Sequence, residues 1–206
     1  MTQNRWTEMI ENNPEHSTWY VERFRAMAAA GDDLTGEARF VDAMAARGSR
    51  VLDAGCGPGR VGGHLAGLGH TVVGVDLDPV LIEAAEHDHP GPTWLVGDLA
   101  ELDLPAHGID EGFDMIVSAG NVMTFLDPQT RRSVLSRLGA HLRQGGRMAI
   151  GFGAGRDYPF DEFFADVRDA GLVVEMTLSS WDIRPFTDDS GFLVALISRS
   201  DSGDAA

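Results

Sequence analysis

Two acidic residues on either side of a glycine-rich turn give this sequence the chemistry of a ligand site. Asp53 ends a short apolar run and is followed by the turn Gly55-Cys56-Gly57-Pro58-Gly59, while Asp76 ends the next apolar run. Glycines let a backbone approach a ligand closely, and the helix that follows such a turn favours an electron-rich group at its N-terminus. A carboxylate about twenty residues further on can accept hydrogen bonds from both hydroxyls of a ribose. The pattern therefore predicts a site for a ribose-containing ligand.

The spacing of the glycines bears on which such ligand is expected. A dinucleotide fingerprint has glycine or alanine three residues after its second glycine, where this chain has Arg60, and Gly59 comes one residue too early. Asp53 would also place a negative charge near a pyrophosphate, whereas it suits a ligand that carries an ammonium group. An NAD(P)-dependent oxidoreductase of Rossmann type stays an alternative, as does a non-catalytic cofactor-binding module.

Apolar runs alternate with helical patterns from residue 50 onwards. The predicted strands are 50–54, 71–76, 93–96, 113–118, 147–152, 172–178 and 192–198. The predicted helices between them are 61–68, 79–86, 129–142 and 160–170, the third closed by Gly145-Gly146. This alternation predicts an α/β fold with a doubly wound, mainly parallel sheet and helices on both faces.

The motifs together resemble those of the class I S-adenosylmethionine-dependent methyltransferases of small-molecule type. The matching segments, in chain order, are Asp53-x-Gly55-x-Gly57-x-Gly59, Gly74-x-Asp76, Gly97-Asp98-Leu99, Phe113-Asp114-x-Ile116-Val117 and Leu142-Arg143-Gln144-Gly145-Gly146. Glutamine at position 144 replaces the proline of the family's last motif. The resemblance implies a seven-stranded Rossmann-like core over 50–198 with strand order 3-2-1-4-5-7-6 and the last strand antiparallel.

The resemblance also implies S-adenosyl-L-methionine as cofactor and assigns residues to it. Asp76 would hold the ribose, Asp98 would meet the adenine amino group, and Leu99 would cover the ring. The full predicted cofactor set is Asp53, Gly55, Cys56, Gly57, Gly59, Asp76, Leu77, Gly97, Asp98, Leu99 and Ala119, with Tyr20 and Arg23 added from the N-terminal segment.

Two segments lie outside the alternation and are expected to cover the site. Residues 1–47 have a helical pattern and are predicted to fold as a lid, with Arg23 rather than Arg25 facing the site because it shares a helix face with Tyr20. The connection 179–191 could close the pocket from the other side through Trp181 and Phe186. The tail 200–206 is small and polar and is expected to be frayed. The whole chain, 1–206, is predicted to be one methyltransferase domain.

Methyl transfer by direct displacement chiefly requires alignment of the nucleophile and exclusion of water, so the family has no fixed catalytic set. The candidates are Tyr20, Asn121 and His16, of which Asn121 could equally be a turn amide. Glu37 is expected to support a helix N-terminus. No metal site is predicted, because His87-Asp88-His89 reads as a solvated turn.

The amino-acid composition limits the classes of molecule that the protein is expected to bind. The formal charge is −16 and the 16 basic residues are all arginine, which disfavours DNA or RNA as partner and excludes chemistry that needs a lysine amine. A small-molecule acceptor is expected. No apolar run reaches membrane-spanning length, so no membrane partner is expected, and the single cysteine, Cys56, fits a cytoplasmic location. The oligomeric state is open between a monomer and a homodimer.

Overall fold

Seven strands form one sheet in the computed structural model of the protein, which describes residues 3–200. The strands are β1 (Arg50–Ala54), β2 (Thr71–Asp76), β3 (Thr93–Val96), β4 (Phe113–Ser118), β5 (Leu142–Gly153), β6 (Leu172–Leu178) and β7 (Phe192–Arg199). Their order is β3-β2-β1-β4-β5-β7-β6. β7 runs antiparallel to both β5 and β6, and the other neighbours are parallel. The predicted fold class and strand order are confirmed.

Successive residues of the central strands are apolar, so both faces of the sheet present apolar side chains, and helices cover both faces. Val51 and Leu52 of β1 are fully buried, yet they belong to different clusters on opposite faces. The Leu52 face packs with buried residues of α7 and α8, and the Val51 face with those of α3 and α4. Continuous apolar strands of this kind are typical of a parallel sheet between two helical layers.

Eight helices surround the sheet within the described range. They are α1 (Arg5–Asn12), α2 (His16–Ala29), α3 (Gly36–Met44), α4 (Arg60–Gly67), α5 (Pro79–Asp88), α6 (Val122–Phe125), α7 (Arg131–Ala140) and α8 (Phe160–Asp169). Asp78 caps α5 through a bond from the Val80 amide, and Pro79 occupies its first turn. α2 packs on α5 and α3 packs on α4, so the N-terminal helices lie beside the helices that follow β1 and β2.

The region around Gly145 and Gly146 differs from the prediction. α7 ends at Ala140 and β5 begins at Leu142, so the glycine pair lies inside a strand instead of closing a helix. A Cβ atom on Gly146 would lie 2.7 Å from the carbonyl oxygen of Phe113. The glycine therefore allows β5 to approach β4 closely, and this pairing begins the strand earlier than apolar content alone indicates.

The end of the chain lies mostly outside the described residues, because the predicted frayed tail includes 201–206. Ser200, its first residue, is described and donates its hydroxyl to the Gly171 carbonyl oxygen at 2.7 Å. Within residues 3–200 there is no helix with both the length and the apolar character needed to cross a membrane.

Candidate active site

A cleft with about 880 Å³ of empty space lies at the carboxyl ends of β1, β2, β3 and β4. The wall contributed by these strand ends consists of Asp53, Gly55, Cys56, Gly57, Pro58, Asp76, Leu77, Gly97, Asp98, Leu99, Ala119 and Gly120. Ten of the predicted cofactor residues are thus in one place, as expected for a parallel sheet whose loops meet at one edge.

The glycine turn after β1 is held in place by its neighbours. The Gly55 and Cys56 amides both donate to the Val75 carbonyl oxygen, at 2.8 and 3.0 Å. Gly55 has φ +78°, and a Cβ atom there would collide with the side chain of Val122. The turn therefore needs glycine both for its backbone conformation and for the close approach of α6.

Asp76 lies at the end of β2 with both carboxylate oxygens oriented by backbone amides. Gly57 donates to Oδ2 at 2.9 Å, and Asp78 donates to Oδ1 at 3.0 Å. Burial raises the pKa of Asp76 to about 6, because the charged form loses its hydration. The carboxylate is thus fixed in direction by two amides, and Asp76 lines the cleft with capacity to accept further hydrogen bonds.

Asp53 is the second acid of the cleft and is buried at the end of β1. Its side chain accepts one hydrogen bond, from the Gly62 amide of α4 at 2.8 Å. Burial raises the pKa of Asp53 to about 7. Two acids whose charged forms are both disfavoured by burial make a cleft that gains most from a ligand bringing a positive charge or hydroxyl donors.

Asp98 and Leu99 follow β3 at the far side of the cleft. The Gly97 amide donates to the Asp76 carbonyl oxygen at 2.9 Å, which ties this loop to β2. Asp98 accepts from the Ala100 amide at 2.8 Å and begins a short turn, and Leu99 is buried against the sheet core. The arrangement presents an apolar surface beside a carboxylate.

Comparison with known proteins agrees with this geometry. Residues 51–146 match the family model described as a methyltransferase domain. A TehB-like SAM-dependent methyltransferase from Corynebacterium glutamicum is 49% identical, and its crystal structure superposes with a TM-score of 0.86 over 91% of this chain and 100% of that one.

The chain belongs to the class I S-adenosylmethionine-dependent methyltransferases. Its cofactor is S-adenosylmethionine. A methyltransferase of Synechocystis is 30% identical over 63% of this chain, and magnesium-protoporphyrin O-methyltransferase of Rhodobacter capsulatus is 38% identical over 52% of it. These matches span 59% and 42% of the two curated relatives, so the chain corresponds to about half their length.

The N-terminal helices of this methyltransferase cover the cleft with aromatic side chains. Trp6, Tyr20 and Phe24 line it, and the Tyr20 ring packs against both others at centroid distances of 5.1 and 5.0 Å. The indole N–H of Trp6 donates to Asp78 Oδ2 at 2.8 Å, and the Ser17 hydroxyl donates to the same buried oxygen. The structure therefore places Tyr20, a predicted site residue, in the lining of the cleft, together with Trp6 and Phe24, which a local helical pattern does not single out.

The structure corrects the prediction that Arg23 faces the site. Arg23 is exposed and does not line the cleft; its guanidinium lies 5.8 Å from the Trp19 ring and 5.9 Å from the Phe24 ring. Arg25 pairs with Asp88 at 2.8 Å. Sharing a helix face with Tyr20 is too coarse a criterion, because the long arginine side chain turns along the helix towards aromatic partners.

The arginine that does line the cleft is Arg60, at the start of α4. Both its terminal nitrogens bond Glu37 at 2.7 Å, and its guanidinium lies 5.5 Å from the Phe24 ring. Glu37 lies in the first turn of α3, the position expected of an acid that supports a helix N-terminus. It also forms half of this ion pair, which joins α3 to α4. The sequence did carry a signal for this ion pair, because Glu37 and Arg60 have opposite charges and lie at the starts of two predicted helices.

Other predicted site residues have structural roles. Gly59 does not line the cleft. Its role is in packing, because a Cβ atom there would lie 2.9 Å from the Ala85 side chain and 3.0 Å from Trp94. His16 is also outside the lining and packs on Trp6 at 5.0 Å. Asn121 adopts φ +69° and accepts the Gly153 amide at 2.8 Å, so the alternative of a turn amide describes it.

The connection between β6 and β7 does not close the cleft. Trp181 packs against Gly151 and on Phe40, with the two ring centroids 5.5 Å apart. Phe186 packs on Phe160, with their ring centroids 5.6 Å apart. None of these residues lines the cleft. Asp182 and Arg184 form an ion pair at 3.0 Å, exposed on the connection. The expectation that this connection closes the pocket from the other side is therefore wrong.

Proposed function

We propose that this methyltransferase moves the methyl group of S-adenosylmethionine to a small-molecule acceptor by direct displacement, and that residues 1–206 act as one domain. The observation that carries the proposal is a pair of acids, the buried Asp53 and the partly buried Asp76, at the ends of adjacent strands in one cleft. Their positions beside the glycine turn match what a cofactor with a ribose and an ammonium group requires.

The residues present fit this cofactor. Asp76 would accept the ribose hydroxyls, with Leu77 beside it, and Asp98 and Leu99 would recognise and cover the adenine. Asp53 and the turn Gly55-Cys56-Gly57 would hold the methionine end, with Ala119 opposite. Each of these residues lines the cleft. The same set fits a pyrophosphate poorly, because the buried Asp53 carboxylate would lie close to its charge.

The bound cofactor supplies an activated methyl group and its leaving group. The chain's own part is to orient the acceptor and exclude water, for which Trp6, Tyr20, Phe24 and Phe125 form an aromatic cover over the cleft. Burial raises the pKa of Tyr20, so its hydroxyl stays protonated and acts as a hydrogen-bond donor and not as a base. Burial likewise raises the pKa of the Cys56 thiol, so it stays neutral.

A small-molecule acceptor is supported by charge. A molecule with a formal charge of −16 repels a phosphate backbone over a wide surface. The curated relative from Rhodobacter capsulatus is named for a small molecule, magnesium-protoporphyrin. We place the protein in the cytoplasm, since Cys56 is the single cysteine and forms no disulfide within the chain.

Melting temperatures in the presence of different cofactors test the proposal against a nicotinamide enzyme. S-adenosylhomocysteine at a hundred times its dissociation constant should stabilise the protein by about 2.7 kcal/mol, with a corresponding rise in melting temperature. NAD and NADP at equal concentration should leave it unchanged. A rise with the nicotinamide cofactors alone would refute the proposal and favour the oxidoreductase alternative.

A further inference from the structure

A second cavity lies at the carboxyl end of β5, beside the cofactor cleft. It has about 640 Å³ of empty space and is lined by residues of α1, α6 and the loop between β5 and α8, among them Arg5, Phe125, Arg156 and Asp157. Phe125 also lines the cofactor cleft. The two cavities therefore lie next to each other, with Phe125 between them.

The charge of this cavity differs from that of the molecule as a whole. Arg5 and Arg156 are both exposed at its surface, and one acid, Asp157, faces them. Arg5 pairs with Asp157 at 2.8 Å, whereas Arg156 forms no ion pair with any residue between 3 and 200. The cavity thus contains two guanidinium groups and one carboxylate, so its local charge is positive although the chain as a whole has a formal charge of −16.

The loop that carries Arg156 is anchored on both sides. Before it, the Gly153 amide donates to Asn121 Oδ1 at 2.8 Å, and the Ala154 amide donates to the Gly191 carbonyl oxygen at 3.0 Å. After it, the buried Arg131 donates to the Asp157 carbonyl oxygen at 2.7 Å. A loop held in this way presents its guanidinium from a fixed backbone, which lowers the entropic cost of binding.

We propose that the methyl acceptor is a small molecule with an anionic group, a carboxylate or a phosphate, which Arg156 and Arg5 hold while its body lies against Phe125. The inference rests on the proposed function, since it names the acceptor class of the same site. A planar guanidinium bonds either anion through two parallel N–H groups. Because the chain as a whole carries a formal charge of −16, an anionic acceptor depends on cations at the site itself for recognition.

Titration of simple anions into the protein saturated with S-adenosylhomocysteine tests this inference. The probes are benzoate, phenyl phosphate and the neutral benzamide. We expect at least one of the anions to bind about tenfold more tightly than benzamide. Arg156→Gln and Arg5→Gln should each remove most of this preference, while Arg168→Gln, an exposed arginine at the end of α8, should leave it intact.

Asp157→Asn gives a change in the opposite direction. It frees Arg5 from its ion pair and removes the negative charge that faces the cavity, so both anions should bind more tightly and benzamide should not. The proposal is overturned if neither anion binds better than benzamide, or if Arg156→Gln and Asp157→Asn leave anion affinity unchanged. Binding of S-adenosylhomocysteine is measured first in each variant; its absence from the wild type would instead refute the proposed function.

Discussion

At the scale of single residues, two acids of the cleft decide how it responds to pH. Asp53 and Asp76 have pKa values raised by burial to about 7 and about 6. A ligand that brings an ammonium group and ribose hydroxyls binds the deprotonated forms. Protons on these carboxyls must therefore leave before or during binding, which links affinity to pH.

We expect the affinity for S-adenosylhomocysteine to fall as pH drops from about 8 to about 5, because protonation of a group with a raised pKa competes with the ligand. Calorimetry near pH 6.5 in buffers of different ionisation enthalpy should show proton release on binding. Asp53→Asn, whose amide oxygen can still accept from Gly62, should reduce the number of protons released. Affinity that is flat across this range would contradict the assignment.

At the scale of elements, the strands of the sheet can be predicted from the sequence, whereas the contacts of the N-terminal helices over the cleft cannot. Strand ends that carry Asp53, Asp76 and Asp98 are local features, and the family motifs place them in order. The bond between Trp6 and Asp78 joins residues 72 positions apart, and no local pattern determines such a partner. The choice between Arg23 and Arg60 likewise depends on how two helices pack, which a helix-face argument cannot decide.

Trp6→Phe should lower the free energy of unfolding by about 1–3 kcal/mol, since Asp78 loses a buried donor and the indole leaves part of its volume empty. Urea denaturation measures the change. Trp19→Phe is the matched control, because Trp19 is 53% exposed and should shift stability by less than about 0.5 kcal/mol. Equal effects of the two substitutions would show that the Trp6 bond does not fasten α1 to the core.

The predicted lid is tested by hydrogen exchange of α2. Tyr20 and Phe24 line the cleft from this helix, and Asp78, which accepts from Ser17, also donates its amide to Asp76. Ligand contact with Asp76 should therefore stabilise the helix, and residues 19–25 should exchange more slowly with S-adenosylhomocysteine bound. The amides of α8, on the opposite side of the sheet core, serve as internal reference. Identical exchange of residues 19–25 in both states would make α2 a fixed wall instead of a lid.

At the scale of the whole molecule, charge and topology act together. The doubly wound sheet brings the acids to one edge, and the net charge of −16 means that an anionic acceptor needs arginines at the site itself to attract it. Composition predicts the exclusion of nucleic acid. It cannot predict where an uncompensated guanidinium lies, because that depends on which arginines find acidic partners in the folded chain.

The central claim is tested most directly by calorimetric titration of S-adenosylhomocysteine into the wild type and into Asp76→Ala. We predict micromolar binding to the wild type, about −8 kcal/mol, and a loss of roughly 1.5–3 kcal/mol in the variant because charge-assisted hydrogen bonds to the ribose disappear. Asp169→Ala, which removes an exposed acid at the end of α8, should bind like the wild type. No binding to the wild type, or equal affinity in a folded Asp76→Ala variant, would contradict the account.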